Sequence, residues 1–232
     1  MYPFLKRFLD ILLSFVALVC LSPILIPICI ILLLTGEHYV FYFQKRIGYK
    51  NRTFEMWKFA TMLKNSPNMG TGMLTTRHDS RVLPFGRFLR KTKLNELPQL
   101  INILKGDMSI VGPRPMVDKT FMAYPQEVRD KVYGVRPGLT GIGSIVFRDE
   151  EAYVSKATEP IAFYNQIIQP YKGALELWYH DHTSLWTDAS IIFLTAWVIV
   201  FPKSQLAYKM CKGLPQKDMN HAVEDFNSQP AV

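Results

Sequence analysis

Cysteine is scarce in this chain of 232 residues, which contains only Cys20, Cys29 and Cys211. None of the three lies at a spacing typical of metal ligands, and nothing suggests the disulfide framework of a small secreted domain. We therefore expect buried or free thiols in a body that faces a reducing compartment. No internal repeat or low-complexity tract is visible either, and the length suggests one domain with appendages.

Charged residues are absent from the 24 residues between Ile11 and Leu34. A straight helix of that length would reach roughly 36 Å, and the hydrocarbon core of a bilayer is about 30 Å thick. The run is too long for a signal peptide, and no cleavage site with small residues follows it. The sequence therefore predicts a membrane segment at the N-terminus.

Two prolines interrupt this apolar segment, Pro23 directly after Ser22 and Pro27 one turn later. Each proline removes a backbone donor, so we expect a break or a sharp kink. Basic residues flank both ends of the segment: Lys6, Arg7, Lys45, Arg46 and Lys50. Because basic flanks favour the cytoplasmic side, residues 1–40 are predicted to form a re-entrant helix-break-helix hairpin. A kinked spanning helix is the alternative.

Positive charge is in excess, with 27 Lys and Arg against 19 Asp and Glu, which gives a formal net charge of +8. Such a balance favours anionic partners, namely nucleic acid, acidic lipid headgroups or phosphorylated substrates. No recognised nucleic-acid-binding module is present, so we expect no nucleic-acid partner. The sequence leaves the oligomeric state open and is compatible with a homo-oligomer.

The rest of the chain has a mixed, polar composition that predicts a mostly helical α/β domain at 41–202, followed by a polar tail at 203–232. Apolar spacing indicates helices within Val82–Leu104, Ala162–Tyr179 and Ala189–Phe201, the second of them interrupted by Pro170. Tyr124–Val132 is typical of a short polar helix. Thr53–Phe59 and Ser144–Phe147 are typical of extended chain. Pro98 suits a helix start and Gly106 a helix end. The apolar run from Ala189 is too short to span a bilayer, so it favours a buried or interfacial helix.

Chemistry-bearing residues concentrate between Arg87 and Pro115. Arg87 and Arg90 precede Asn95-Glu96, and Arg114 lies between two prolines. Arginine presents a planar fork that suits phosphate oxygens, and a carboxylate beside cations is what a magnesium-pyrophosphate site needs. The competing interpretation is a solvated basic helix face with a surface glutamate.

The same region resembles the signature of the bacterial sugar transferase family, the monotopic phosphoglycosyl transferases. The matching motifs are Glu96-Leu-Pro-Gln-Leu100, Gly106-Asp-Met-Ser109 and Gly112-Pro-Arg-Pro115. Further matches are Ser22-Pro23, Arg46-Ile-Gly48, Lys58-Phe59, Pro137-Gly-Leu-Thr-Gly141 and Ser184-Leu-Trp-Thr-Asp188. The resemblance covers nearly the whole chain, and the motifs occur in the family's order.

This resemblance implies that the chain transfers a sugar 1-phosphate from a UDP-sugar to polyprenyl phosphate and releases UMP in the presence of Mg²⁺. It implies an enzyme of the bacterial inner membrane that contacts membrane lipids, with the catalytic domain facing the cytoplasm, and that starts the assembly of a glycan. It implies that Glu96 helps to hold the metal. The implied phosphate-binding residues are Arg114 and Lys58. Arg87 and Arg90, from the basic stretch before Asn95, are further candidates for phosphate binding. Asp188 is a further candidate for a polar site, and Ser22-Pro23 marks the membrane break.

Asn95 departs from the family pattern, which has an aspartate at this position that is thought to act as a covalent nucleophile. A neutral amide is a very poor nucleophile. Three explanations stay open: another route, an exchange introduced to trap a ligand, or an inactive scaffold. Another route means direct attack by the lipid phosphate or a different carboxylate. The candidates for that carboxylate are Asp107, Asp149, Glu150 and Glu151.

Overall fold

The computed structural model describes residues 1–69, 79–202 and 204–228, and these form a mostly helical α/β chain. The helices are α1 Tyr2–Leu34, α2 Pro84–Lys91, α3 Gln99–Lys105, α4 Asp118–Met122, α5 Gln126–Lys131, α6 Ile142–Val146, α7 Glu150–Val154, α8 Pro160–Phe163, α9 Gln169–Asp181, α10 Leu185–Val200, α11 Leu206–Met210 and α12 Met219–Ser228. The strands are β1 Phe41–Ile47, β2 Thr53–Phe59, β3 Ser109–Val111 and β4 Gly138–Thr140. β1 pairs with β2, and β3 pairs in parallel with β4.

The chain folds into two compact units. The first unit comprises Met1–Arg7, Arg46–Phe54 and Asp107–Val232, and the second comprises Phe8–Lys45 and Glu55–Gly106. The division into 1–40, 41–202 and 203–232 that the sequence favours stays a prediction. Lys203 and residues 229–232 of that tail lie outside the described residues.

α1 is an apolar helix of 33 residues, long enough by length and composition to cross a membrane. The helix continues through Pro23 and Pro27, so the predicted break at Ser22-Pro23 and the re-entrant hairpin are not seen. Pro23 has no N–H to donate to the carbonyl of Val19, and the Ser22 hydroxyl donates to that carbonyl instead, at 2.7 Å. The local chemistry thus compensates for the first proline.

The core of the second unit is built on the C-terminal half of α1. Ile28 and Leu32 pack with Phe59 of β2 and Leu89 of α2. α2 also approaches the backbone after β2 closely, because a Cβ at Gly86 would lie 2.2 Å from the carbonyl oxygen of Thr61. The absence of a side chain at residue 86 therefore fixes where α2 lies within this unit.

The first unit has a larger core in which α9 and α10 are central. Fully buried side chains of this core include Phe163, Ile168, Leu175, Ile191 and Leu194. The C-terminal segment belongs to the same core, since Leu214, Met219 and Val223 pack into it. A second cluster joins Ile47, Met116, Phe121, Tyr124, Val128, Val132 and Tyr133.

Several of the predicted elements occur in the structure. β2 spans Thr53–Phe59, α5 lies within Tyr124–Val132, and α10 covers most of Ala189–Phe201. Gly106 adopts φ 95° at the end of α3, a left-handed conformation that suits glycine. Pro98 directly precedes α3.

The strand predicted at Ser144–Phe147 is wrong, because the structure has helix α6 at Ile142–Val146. Ile142 and Ile145 both enter the core of the first unit, and their spacing of three residues matches a helical face. A short apolar run does not distinguish strand from helix by itself. The interruption predicted at Pro170 is absent as well. The chain stays helical through a π-helical turn at Tyr164–Ile168, and Pro170 lies in the first turn of α9, where its missing N–H is tolerated.

Candidate active site

Asn95 and Glu96 lie in a tight turn of the second unit, between α2 and α3. Lys93 adopts a left-handed conformation, φ 62°, which ends α2 and starts a 3-10 turn at Leu94–Glu96. A non-glycine residue at positive φ is uncommon, so the local fold constrains this turn. Both side chains are half-buried. The Oδ1 atom of Asn95 is buried and has no hydrogen-bond partner within residues 1–69, 79–202 and 204–228.

Arg90 lies within electrostatic reach of this turn. Burial lowers the pKa of the Arg90 guanidinium, and the carboxylates of Asp79 and Glu96 oppose that shift. Arg87 is exposed on the same helix. Lys58 of β2 is half-buried, and its Nζ lies 3.4 Å from Oε1 of Gln44. The second unit therefore contains Asn95, Glu96, Lys58, Arg87 and Arg90, and it brings Arg90 near Glu96.

Arg114 belongs to the first unit, in the loop after β3. Its side chain is exposed, whereas its peptide is held on both sides by buried groups. Glu176 Oε1 accepts the backbone N–H of Arg114 at 3.4 Å, and the Tyr133 hydroxyl donates to its carbonyl oxygen at 2.8 Å. The same hydroxyl accepts the N–H of Met116 at 3.0 Å. The backbone of this loop is therefore fixed while the guanidinium extends outward.

Close backbone packing at Gly112 reinforces this loop. A Cβ at Gly112 would lie 2.2 Å from the carbonyl oxygen of Arg136, and one at Gly138 would lie 2.1 Å from the amide nitrogen of Gly112. The two segments can approach this closely only because both residues lack side chains. Arg46 donates to the carbonyl oxygen of Pro115 at 3.1 Å. The Gly-Pro-Arg-Pro and Pro-Gly-Leu-Thr-Gly motifs therefore form one packed structure.

Asp188 anchors the N-terminal turn of α1 to α10 within the first unit. Its Oδ2 accepts from Lys6 Nζ at 2.6 Å and from the Tyr2 hydroxyl at 2.9 Å, and its Oδ1 accepts from the Tyr179 hydroxyl at 2.7 Å. Lys6 also donates to the carbonyl oxygen of Val111, just before the Arg114 loop, and the Tyr179 hydroxyl lies 3.2 Å from the same oxygen. Three donors occupy the carboxylate, so its contacts are those of a structural anchor.

Comparison with known proteins identifies the family. The chain matches the family described as bacterial sugar transferase over residues 1–202. It belongs to that family.

Curated relatives of this bacterial sugar transferase family member are identical to it at about a third of the aligned residues. It is 32% identical over 211 residues to the undecaprenyl-phosphate galactose phosphotransferase of Salmonella typhimurium, covering 85% of this chain and 40% of the relative. It is 35% identical over 198 residues to the UDP-glucose:undecaprenyl-phosphate glucose-1-phosphate transferase of Escherichia coli, covering 82% and 39%. It is 34% identical over 204 residues to the exopolysaccharide production protein ExoY of Sinorhizobium fredii, and the alignment covers 82% of this chain and 83% of the relative.

The chain therefore spans less than half the length of several curated relatives and most of the length of others. The predicted grouping of Glu96 with Arg114 stays a prediction, as do the roles assigned to both residues.

The donor chemistry around Asn95 fits a magnesium ion. Mg²⁺ prefers hard oxygen ligands, and this turn offers the Glu96 carboxylate and the buried Oδ1 of Asn95, which has no hydrogen-bond partner in the described part of the chain. No group of three or more His, Cys, Asp or Glu that could hold a metal occurs among the described residues.

The alternative carboxylates of this member of the bacterial sugar transferase family all belong to the first unit. Glu150 forms an ion pair with Lys172, and burial lowers the pKa of the Lys172 ammonium. Asp149 is exposed and Asp107 is half-buried. The side chain of Glu151 is outside the described part of the structure.

Glu176 and Tyr133, which hold the backbone of Arg114, were not predicted from the sequence. The signal for Glu176 is an acidic residue within the mostly apolar run Ala174–Tyr179, where carboxylates are rarely fully buried without a reason. Burial raises the pKa of Glu176 to about 7, although Arg114 and Lys172 oppose the shift. Nothing in the sequence distinguishes Tyr133, because its partners lie 17 and 19 residues away in an irregular loop.

Proposed function

We propose that this chain transfers a sugar 1-phosphate from a UDP-sugar to undecaprenyl phosphate, releases UMP, and thereby starts the assembly of an exopolysaccharide or capsule glycan. The observation that carries the proposal is the family match over residues 1–202, together with relatives whose names state this type of transfer. The exposed Arg114 on its fixed loop is consistent with a phosphate-binding role.

The proposed reaction is a displacement at the β-phosphorus of the UDP-sugar. An attacking oxygen forms a bond to this phosphorus. The bond from the phosphorus to the oxygen that bridges to the α-phosphate breaks, and UMP leaves with that oxygen and its electron pair. Arg114 binds phosphate oxygens through its guanidinium fork, and Lys58, Arg87 and Arg90 supply further positive charge for the diphosphate.

Mg²⁺ is the metal proposed for this site, where Glu96 and the Oδ1 of Asn95 would hold it. When bound, it supplies positive charge that neutralises phosphate oxygens. The role proposed for Asn95 is therefore that of an oxygen ligand, since its neutral amide is a very poor nucleophile. Direct attack by the lipid phosphate is the favoured route, and a carboxylate among Asp107, Asp149, Glu150 and Glu151 is the alternative.

The membrane arrangement is part of the proposal. α1 is proposed to enter and leave the cytoplasmic leaflet of the inner membrane, with a bend at Ser22-Pro23, so that the remaining chain faces the cytoplasm. The prolines and the basic flanks support this arrangement. A phosphate-binding surface at headgroup depth would reach both a lipid phosphate and a nucleotide from water.

Accessibility labelling tests the arrangement. In a variant with Cys20, Cys29 and Cys211 replaced by serine, single cysteines are introduced at Tyr2→Cys and His38→Cys and labelled from either side of sealed vesicles. We expect both positions to react from the cytoplasmic side. Reaction from opposite sides would support the kinked spanning helix and exclude the re-entrant hairpin.

A second candidate function is a membrane scaffold of the same family without catalytic activity, and Asn95 is the observation that favours it. A donor screen that reads UMP release with undecaprenyl phosphate separates the two, run on the chain and on Asn95→Asp. We expect transfer by the chain itself, abolished by Arg114→Gln and retained by the control Arg52→Gln at an exposed arginine. Activity of the Asp form alone would indicate a disabled enzyme. Inactivity of both forms with every donor would leave the scaffold.

A further inference from the structure

The backbone of Arg114, in the loop after β3, is held by two buried side chains. Its N–H is accepted by Glu176 of α9 at 3.4 Å, and its carbonyl oxygen accepts from Tyr133 at 2.8 Å. Glu176 is 4% exposed and Tyr133 is 1% exposed, whereas the Arg114 side chain is exposed. Two buried side chains from distant parts of the sequence thus converge on the backbone of one residue, whose guanidinium extends toward solvent.

The carboxylate of Glu176 occupies space that a glycine leaves free. A Cβ at Gly143 of α6 would lie 2.5 Å from Glu176 Oε1, the oxygen that accepts the Arg114 N–H. The second oxygen, Oε2, is buried and has no hydrogen-bond partner among the described residues. One carboxylate oxygen therefore accepts a hydrogen bond from the Arg114 loop, whereas the other has no partner in the described part of the chain. A buried oxygen without a hydrogen bond lowers the stability of the fold, which is unfavourable for a residue with a purely structural role.

The groups that face Glu176 come from every neighbouring element. Arg114 lies on the loop and Lys172 on α9 itself, and both favour the ionised form of Glu176. The hydroxyls of Tyr124 and Tyr133 also interact with Glu176. Further groups act on these neighbours. Glu150 pairs with Lys172, Tyr164 interacts with Arg114, and Arg46 interacts with Tyr133.

We propose that Glu176 is a positioning residue, which sets the direction of the Arg114 side chain through its peptide N–H and acts on the nucleotide-sugar diphosphate only through that arginine. The inference rests on the proposed function, in which Arg114 binds phosphate. An ionised carboxylate is a stronger acceptor than a protonated one. Since burial raises the pKa of Glu176 to about 7, the hold on Arg114 strengthens as the pH rises from 6 to 8.

The test is the pH dependence of UDP-sugar binding by the full chain in lipid nanodiscs. UDP-glucose is a suitable probe, because its diphosphate does not titrate between pH 6 and 8.5. Binding is measured by calorimetry, and KM and kcat are measured with the donor found active in the screen. For the unmodified chain we expect affinity to rise about three- to tenfold across this range, the size of the net contribution of one ordinary hydrogen bond.

The decisive variant is Glu176→Gln, which keeps the shape of the side chain and removes its titration. We expect a pH-independent affinity and a KM raised about three- to tenfold, with a smaller change in kcat. Glu176→Asp should restore part of the pH dependence. If the glutamine variant does not fold, the aspartate variant still tests the inference. An unchanged KM and pH profile in both variants would overturn the inference.

Gln169→Leu is the matched structural control. Gln169 lies on the same helix, is 1% exposed, and donates to the carbonyl oxygen of Thr120 at 3.3 Å. We expect this variant to lose thermal stability while keeping the pH profile of UDP-glucose binding. If Gln169→Leu also loses the pH dependence of UDP-glucose binding, the role of Glu176 is only structural and the inference is wrong. Absence of UDP-glucose binding and of transfer with every donor in the unmodified chain would overturn the proposed function itself.

Discussion

Asp188 and Glu176 are both buried carboxylates of the first unit, 7% and 4% exposed, yet their surroundings differ. Asp188 accepts hydrogen bonds from Lys6, Tyr2 and Tyr179, at 2.6 to 2.9 Å. Glu176 accepts one longer backbone bond and has a second oxygen without a partner among the described residues. The comparison teaches that burial alone does not define the state of a carboxylate, because the number of donors decides whether its charge is stabilised.

The largest expected effect follows from removing the well-partnered carboxylate. Asp188→Ala leaves the Lys6 ammonium largely buried without its anion, so we expect a loss of about 3 kcal/mol in the free energy of unfolding. The measurement is thermal or denaturant unfolding in detergent, followed by tryptophan fluorescence. The exposed Asp181→Ala on the neighbouring turn is the control and should change stability little. An equally small effect of Asp188→Ala would show that the network does not anchor α1.

The ion pair itself is isolated by the double variant Lys6→Met with Asp188→Leu. Replacing both partners by apolar groups removes the unpaired charge, so we expect the double variant to be more stable than Asp188→Ala. A double variant less stable than Asp188→Ala would contradict this account of the contact.

The second prediction concerns the poorly partnered carboxylate and the pH dependence of stability. The pKa of Glu176 is raised from 4.5 to about 7 in the folded chain, so folding favours the protonated form. Its contribution to stability is therefore fully present below about pH 4.5 and is lost as the pH rises through 7, by up to about 3 kcal/mol. Unfolding at pH 5, 6, 7 and 8 should show this decline in the parent chain and a smaller decline in Glu176→Gln. Identical slopes of stability against pH in the two chains would exclude Glu176 as the source of the decline.

The third and smallest effect tests the space that Glu176 occupies. Gly143→Ala would normally stabilise helix α6 slightly, because alanine is the better helix former. Here the added Cβ would lie 2.5 Å from Glu176 Oε1, so we expect a net destabilisation of about 1 to 2 kcal/mol. Thermal unfolding of Gly143→Ala, Glu176→Ala and the double variant forms the test. The two losses should be less than additive, since the smaller residue relieves the clash, and strict additivity would show that the residues do not compete for space.

The sequence predicted features that depend on neighbouring residues. The strand Thr53–Phe59, the helix end at Gly106 and the helix within Ala189–Phe201 follow from local spacing and backbone preference, and the structure has all three. The ordered motifs also led to the family. The strand expected at Ser144–Phe147 failed because four apolar residues suit a helix face and a strand equally well.

The contacts that organise the candidate site could not be read from the sequence. Glu176 meets Arg114 across 62 positions, and Lys6 meets Asp188 across 182. Such pairs depend on how α9, α10 and the start of α1 pack, and no local preference encodes that arrangement. Lys6 illustrates the point, because the sequence shows it only as a flanking charge of the membrane segment, and the structure adds its ion pair with Asp188.

Pairing a hydroxyl with the Val19 carbonyl changes the energetic cost of bending α1. The Ser22 hydroxyl is carried on a rotatable side chain, so it can follow the carbonyl oxygen when the helix axis tilts, as a rigid amide cannot. In hydrocarbon, an uncovered carbonyl dipole would oppose any such tilt. A single serine thus makes the proline at residue 23 a point where the helix can change direction without exposing polar backbone to lipid.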